Sequence, residues 1–273
     1  MTLSKPCGLL SLLLLVLTAS PPPVRAETIK FRSEMSPKKW SATISGQLTT
    51  PKGAGPFPVV VLLHPCAGIT PVVQKSLNAH ASVLRGNKFA VLILDSFSAR
   101  SLNGGKACAQ PLGRLAAEVV TDDAFNAMAA LGRIGKIDAD NIFVSGQSLG
   151  GHAAIMAAIR NDTRGDTAFR AVAAWYPSCR NIGVGTTLRS PLIVFGAGKD
   201  DWTPMHGCRA AKTSGLVKGA EYEMVAYPNA LHGFDQPMKT RRYKGHTLGY
   251  DAAAAADARQ KMVEFFKRHM KAK

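Results

Sequence analysis

The chain of 273 residues is short of acids, short of cysteine and, beyond its first residues, free of long apolar runs. Each shortage excludes something. Asp and Glu total 18 against 34 Lys and Arg, a formal net charge of +16. No nucleic-acid module accompanies those cations, so the charge does not by itself indicate nucleic acid. The five Cys and seven His show no metal-ligand spacing, and no glycine-rich nucleotide fingerprint appears. Neither a metal nor an organic cofactor is therefore expected. No internal repeat and no linker divides the chain. After the amino terminus, no segment approaches the roughly 20 apolar residues that a membrane-spanning helix needs.

The amino terminus is different. Lys5 supplies a positive charge, Leu9 to Ala19 is apolar, and Val24-Arg25-Ala26 places small residues at both cleavage-site positions. Residues 1–26 read as a secretory signal peptide, and residues 27–273 as one domain that is periplasmic or secreted after cleavage near Ala26. Removal of Lys5 and Arg25 lowers the formal charge to +14. The plain reading is a solvated basic surface; weak association with anionic surfaces is the alternative. Four cysteines remain, Cys66, Cys108, Cys179 and Cys208, an even number that suggests two disulfides in an exported chain. Three pairings are open. Strand adjacency favours Cys66–Cys108 and Cys179–Cys208.

From residue 59 onward, short apolar runs alternate with helical patterns. Strands are expected at 59–64, 89–94, 142–145, 171–176, 191–197 and 221–227, the last being the final strand. Helices are expected at 72–85, 115–131, 204–217 and 252–270, with another after Ser148. Two antiparallel edge strands, 28–33 and 39–49, precede them. This is an α/β chain with a mostly parallel sheet and helices on both faces. In such sheets, function gathers at the carboxyl ends of the strands.

One segment carries chemistry most directly. Gly146-Gln-Ser-Leu-Gly-Gly151 follows an apolar run and precedes an alanine-rich helix. A strand-to-helix turn this sharp strains its apex and demands tiny residues two positions away, which Gly146 and Gly150 are. Ser148 then projects at a helix N-terminus, suited to developing negative charge. A serine nucleophile needs a histidine base, and that histidine an acid. His232 follows the strand at 221–227, and Asp200 follows the strand at 191–197. Asp201 and His246 are weaker choices for these roles. His152 is expected to point away from the site, and His64 to organise a loop beneath it. An oxyanion needs at least two donors. The N–H of Leu149 is one. Pro65 has none to give, so Cys66 is the best second.

The order Ser…Asp…His, with His64-Pro-Cys-Ala-Gly68, Asp95-Ser-Phe-Ser-Ala-Arg100, Asp200-Asp-Trp-Thr-Pro204 and Tyr227-Pro-Asn-Ala-Leu-His-Gly-Phe234, resembles the dienelactone hydrolase family of the α/β-hydrolase fold, across essentially the whole mature chain. The resemblance implies hydrolysis of carboxylic esters or lactones. The namesake enzymes carry cysteine as nucleophile, so Ser148 points to the serine-esterase side. Arg100 is a candidate for a substrate carboxylate, or else a structural ion pair. Tyr176 and Trp202 are candidates to line the acyl pocket, or else to pack in the core or at the rim. Few residues separate the strands at 171–176 and 191–197, so no large lid is expected. Two other readings share these residues: a prolyl-oligopeptidase-like peptidase, for whose accessory propeller the chain has no room, and a non-catalytic binding protein on a hydrolase scaffold.

Overall fold

The computed structural model of the protein describes Met1 and residues 26–35, 40–109, 111–160, 168–180, 182–183, 185–215 and 217–272. The expected signal peptide thus lies almost wholly outside the described residues. Twelve strands and five α-helices occur among those described, in this chain order: β1 (Ala26–Ser33), β2 (Ala42–Thr49), β3 (Phe57–Leu63), α1 (Pro71–Gly86), β4 (Ala90–Asp95), α2 (Leu112–Leu131), β5 (Ile137–Gln147), α3 (Leu149–Ile159), β6 (Val172–Trp175), β7 (Thr187–Leu188), β8 (Leu192–Ala197), α4 (His206–Thr213), β9 (Lys218–Gly219), β10 (Tyr222–Tyr227), β11 (Arg241–Tyr243), β12 (His246–Leu248) and α5 (Ala252–Arg268).

Eight strands form one sheet in the order β1-β2-β4-β3-β5-β6-β8-β10. β1 and β2 are antiparallel to each other, and β2 is antiparallel to β4. Every pairing from β4 to β10 is parallel. β1 is the edge strand; β2 lies inside it, paired on both sides. The central strands are apolar without alternation because helices cover both faces. Val59, Val61, Leu92 and Val144 pack beneath α2 and α3. Val60, Phe143, Ile193 and Phe195 pack beneath α1 and α5.

Local signals set the helix ends. Thr70 caps α1 by accepting from the N–H of Val73, and Pro71 occupies the first turn, where no N–H is needed. Asp251 caps α5 through the N–H of Ala254. The helix expected at 204–217 is shorter, ending at Thr213. Glycine at 215 has a φ of +62°, which stops a helix. β5 is longer than the four apolar residues indicated, because it pairs with β3 from Ile137 onward. β10 is the last strand of the main sheet but not of the chain. Two short pairs, β7 with β9 and β11 with β12, went unforeseen because two- and three-residue strands carry no periodicity.

The turn between β5 and α3 is the tightest point. A Cβ on Gly146 would lie 2.1 Å from the carbonyl oxygen of Gly150, and one on Gly150 would lie 2.6 Å from the carbonyls of both Leu63 and His64. These are backbone obstacles, with no side chain to move aside. Gly150→Ala is therefore expected to destabilise the protein by at least about 3 kcal/mol. Chemical denaturation checks this; a midpoint equal to that of the wild type would refute the close approach.

Candidate active site

Ser148 sits at the apex of that turn with φ 54° and ψ −111°, a conformation L-residues rarely adopt. Its own N–H donates to the carbonyl of Trp175 at 2.9 Å, which fastens the apex to β6. Its Oγ lies 3.0 Å from Nε2 of His232, and Nδ1 of His232 lies 2.8 Å from Oδ2 of Asp200. All three residues are buried. With Nδ1–H donating to Asp200, the lone pair of Nε2 faces the serine hydroxyl.

The loop after β8 shapes Asp200. The N–H groups of Trp202 and Thr203 both donate to its Oδ1 at 2.8 Å, and Oγ1 of Thr203 lies 2.9 Å from Oδ2. Burial opposes ionisation, but the hydrogen bond and charge of His232, with those two amides, outweigh it and hold the carboxyl below its ordinary range. Asp201 turns outward instead, bonding Thr247 and His246. His246 stacks on Trp202 with ring centroids 4.8 Å apart.

A cavity of about 600 Å³ opens in front of Ser148, lined among others by Leu149, Cys66, Trp202, Met156 and Arg180. Leu149 is the first residue of α3, so its N–H has no partner within the helix. No hydrogen bond involves the N–H of Cys66 or Leu149 among the described residues, and both residues line the cavity. His64 stands behind this loop: Nδ1 meets the carbonyl of Pro65 at 2.9 Å, and Nε2 accepts from the N–H of Ser96. Burial lowers its pKa, so the ring serves as a neutral brace. Cys66 is bonded to Cys108 and Cys179 to Cys208, with Cα separations of 4.9 and 5.2 Å. Cys66, Cys108 and Cys179 face the cavity.

One sequence reading changes, and two that were open are decided. His152 does not point away; it lines the cavity, with Nδ1 2.7 Å from the carbonyl of Ser178. Its position on α3, four residues after Ser148, brings it back over the same mouth. Arg100 does not reach the cavity. Its guanidinium makes a buried fork with Asp123 at 2.8 and 2.9 Å and also donates to the carbonyls of Trp40 and Ser96. Tyr176 does not line the cavity either. It is buried behind His232, ring edge against ring at 4.8 Å, and its backbone φ is 37°. Of the three pocket candidates, Trp202 alone is a lining residue.

A second buried group went unread. The carboxylate of Asp235, three residues after His232, accepts from Ser76 Oγ, His80 Nε2, Gln147 Nε2 and the hydroxyl of Tyr176. It thus ties Gln147, the residue before Ser148, to the ring behind His232. Burial lowers the pKa of His80. Burial also resists the charge on Asp235, yet the hydrogen bond and charge of His80, the hydrogen bond from Tyr176 and the charge of Arg259 hold its pKa at about 2. The signal was an acid three residues after His232, in Leu231-His-Gly-Phe-Asp235.

The model of the dienelactone hydrolase family matches residues 44–270. An Escherichia coli (strain K12) protein provisionally named a carboxymethylenebutenolidase is 23% identical over 142 residues, 48% of this chain and 48% of its own. The chain spans about half the length of the curated relatives it matches. A dienelactone hydrolase-like promiscuous phosphotriesterase from metagenomic libraries superposes with a TM-score of 0.65 at 18% identity, covering 90% of this chain and 99% of that one. The dienelactone hydrolase of Anabaena variabilis ATCC 29413 gives 0.65 at 15% identity, over 90% and 99%. At these identities the shared property is the fold, the α/β-hydrolase fold.

The depressed pKa of Asp235 has a consequence for stability. Its contribution is complete above the ordinary carboxylate value of 3.8 and is lost as pH falls towards about 2. Asp235→Asn is expected to lower stability near neutrality by about 3 kcal/mol, as loss of a buried, fully bonded charge does. The gap from the wild type should narrow by about 2 kcal/mol across that acid window. Urea unfolding at a series of pH values measures both, and a pH-independent gap would contradict the assignment.

Proposed function

The chain belongs to the dienelactone hydrolase family, and we propose that it is an exported serine hydrolase of carboxylic esters or lactones. The observation that carries this reading is His232, which lies within hydrogen-bond distance of Ser148 on one ring nitrogen and of Asp200 on the other. Such an imidazole can take the serine proton while Asp200 stabilises the cation that forms. Oγ of Ser148 adds to the substrate carbonyl. The oxygen becomes negative and is received by the N–H groups of Leu149 and Cys66. Collapse of the adduct expels the alcohol, which takes the proton from His232 and leaves an acyl group on Ser148. Water enters, His232 removes its proton, and a second tetrahedral adduct releases the acid and restores the serine.

The cavity supports small or soluble substrates. Between β6 and β8 the described residues hold only the two-residue strand β7, so no inserted helix covers Ser148 from that side. Two disulfides accord with an oxidising compartment. Among the described residues no helix is long and apolar enough to cross a membrane.

Ser148→Ala is expected to reduce kcat on p-nitrophenyl acetate by about four orders of magnitude or more. A fluorophosphonate probe should label the wild type at Ser148, located by peptide mapping. An unlabelled Ser148 in folded protein, under conditions where a control esterase reacts, would refute the mechanism. The oxyanion assignment has its own test. Replacing both Cys66 and Cys108 by serine frees the loop that carries one donor, so kcat should fall about tenfold to a hundredfold with KM little changed. The corresponding Cys179 and Cys208 pair should affect kcat less.

A further inference from the structure

The fold gathers at one edge several cations that stand apart in the sequence. Carboxylates near the amino ends of β5 and β10 are paired with the C-terminal segment: Asp140 with Lys271 at 3.1 Å, and Glu223 with Arg268 at 2.5 Å. The opposite, site-bearing edge is different. Arg114 and Arg180 line the mouth of the cavity and Lys106 stands beside Cys108, while Arg241, Arg242 and Lys244 project from the β11–β12 hairpin. All six are exposed, and none meets a carboxylate among the described residues. Lys106 and Arg242 bond only backbone carbonyls, and Arg241 and Lys244 lie over the ring of Tyr243. Glu118 is the one carboxylate among the described lining residues.

The hairpin is fastened across the mouth. His246 stacks on Trp202, a lining residue, and Tyr243 lies 5.9 Å from the same indole. The hydroxyl of Tyr243 reaches Gly105 so closely that a Cβ there would lie 2.2 Å from it. Gly105 begins the turn that carries Cys108. The hairpin therefore bridges the two walls of the cavity and sets its cations around the opening.

We propose that this rim binds an anionic polymer, and that the ester cleaved at Ser148 is carried on such a chain. The proposal rests on the hydrolase reading for its second half only. A small acid held near Ser148 could meet Arg114 or Arg180. It could not also span the hairpin cations outside the cavity, which call for anions repeated along a chain. Unpaired surface cations of one sign raise the local concentration of such a ligand, in a salt-dependent way. An acidic polysaccharide fits better than a membrane. The exposed large apolar side chains among the described residues are Met1, Tyr250 and Met270, and none belongs to the hairpin or the lining, so the rim offers no apolar wedge for a bilayer.

The test separates binding from turnover. Full-length exported protein carrying Ser148→Ala is applied to immobilised polygalacturonate and, separately, to phosphatidylglycerol vesicles. Polymer binding should weaken with salt and fall about tenfold in an Arg241→Gln, Arg242→Gln, Lys244→Gln variant, while Arg241→Lys with Arg242→Lys retains it. In protein with Ser148 intact, turnover of acetylated polygalacturonate relative to p-nitrophenyl acetate should fall by a similar factor in the glutamine variant. Equal polymer binding by the glutamine variant overturns the proposal. So does binding to vesicles without binding to polymer, which assigns the rim to membranes. Polymer binding without any ester turnover sinks the hydrolase reading and leaves the surface standing.

Discussion

The near-contact of two backbones at Gly146 and Gly150 governs the whole site. α3 can leave β5 so abruptly only because both residues lack a Cβ. The same contact presses α3 onto the carbonyls of Leu63 and His64, at the end of β3. That pressure is what brings the Cys66 loop beside the N–H of Leu149. The strained serine and the paired amides are thus one consequence of one crossing, not separate features. Ser148 stays at its unfavourable φ because its N–H is fixed to Trp175, in the neighbouring strand.

Two buried carboxylates stiffen the frame from either face of the sheet. Asp123, on α2, holds Arg100 and through it the carbonyls of Trp40 and Ser96. Asp235 lies on the α1 and α5 side and joins α1, the end of β5 and the loop of His232. Each replaces nonspecific apolar contact with directional bonds, and each fixes a loop that must not slide. Tyr176 shows the effect. Its hydroxyl is anchored on Asp235, its ring backs His232, and its carbonyl accepts from Thr203, which also touches Asp200. Ser148, His232 and Asp200 are therefore braced by a common set of groups from behind.

Much of this was readable from residue order. Continuous apolar runs gave the parallel strands, and the glycine spacing gave the nucleophile turn, because both follow from local geometry. His232 was separable from His246 because it closely follows the strand at 221–227, and Asp200 from Asp201 only through the family resemblance, whose acid stands four residues before a proline, here Pro204. The preferred cysteine pairs followed from which strands are neighbours. What the sequence could not convey depends on where side chains meet across the sheet. Arg100 and Tyr176 stood open between the cavity and structural packing because their loops end at that edge; buried partners turn both inward. His152 was read outward because it lies in a helix, yet the first turn of α3 faces the mouth. The gathering of cations at the mouth was invisible for a similar reason: the hairpin that carries three of them is brought there by Tyr243 and His246 packing on Trp202.

The placement of the disulfides bears on how such a cavity could discriminate. Closing loops of 42 and 29 residues between cysteines stabilises by about 4 kcal/mol each at most, in the chain-entropy account. Links elsewhere could supply that much. These two bind the loops after β3 and β6 to the segments after β4 and β8, which are the walls of the cavity. Loops at a binding site ordinarily open at little cost. Here they are covalently held, and the hairpin with Tyr243 is propped between them. Walls of that kind leave little freedom to close around a bound molecule. Selection must then rest on groups already in position: the width between Trp202 and Cys108, the polar ring of His152, and the fixed field of the cations at the mouth. A rigid opening of this kind favours ligands that arrive by long-range attraction and fit without rearrangement.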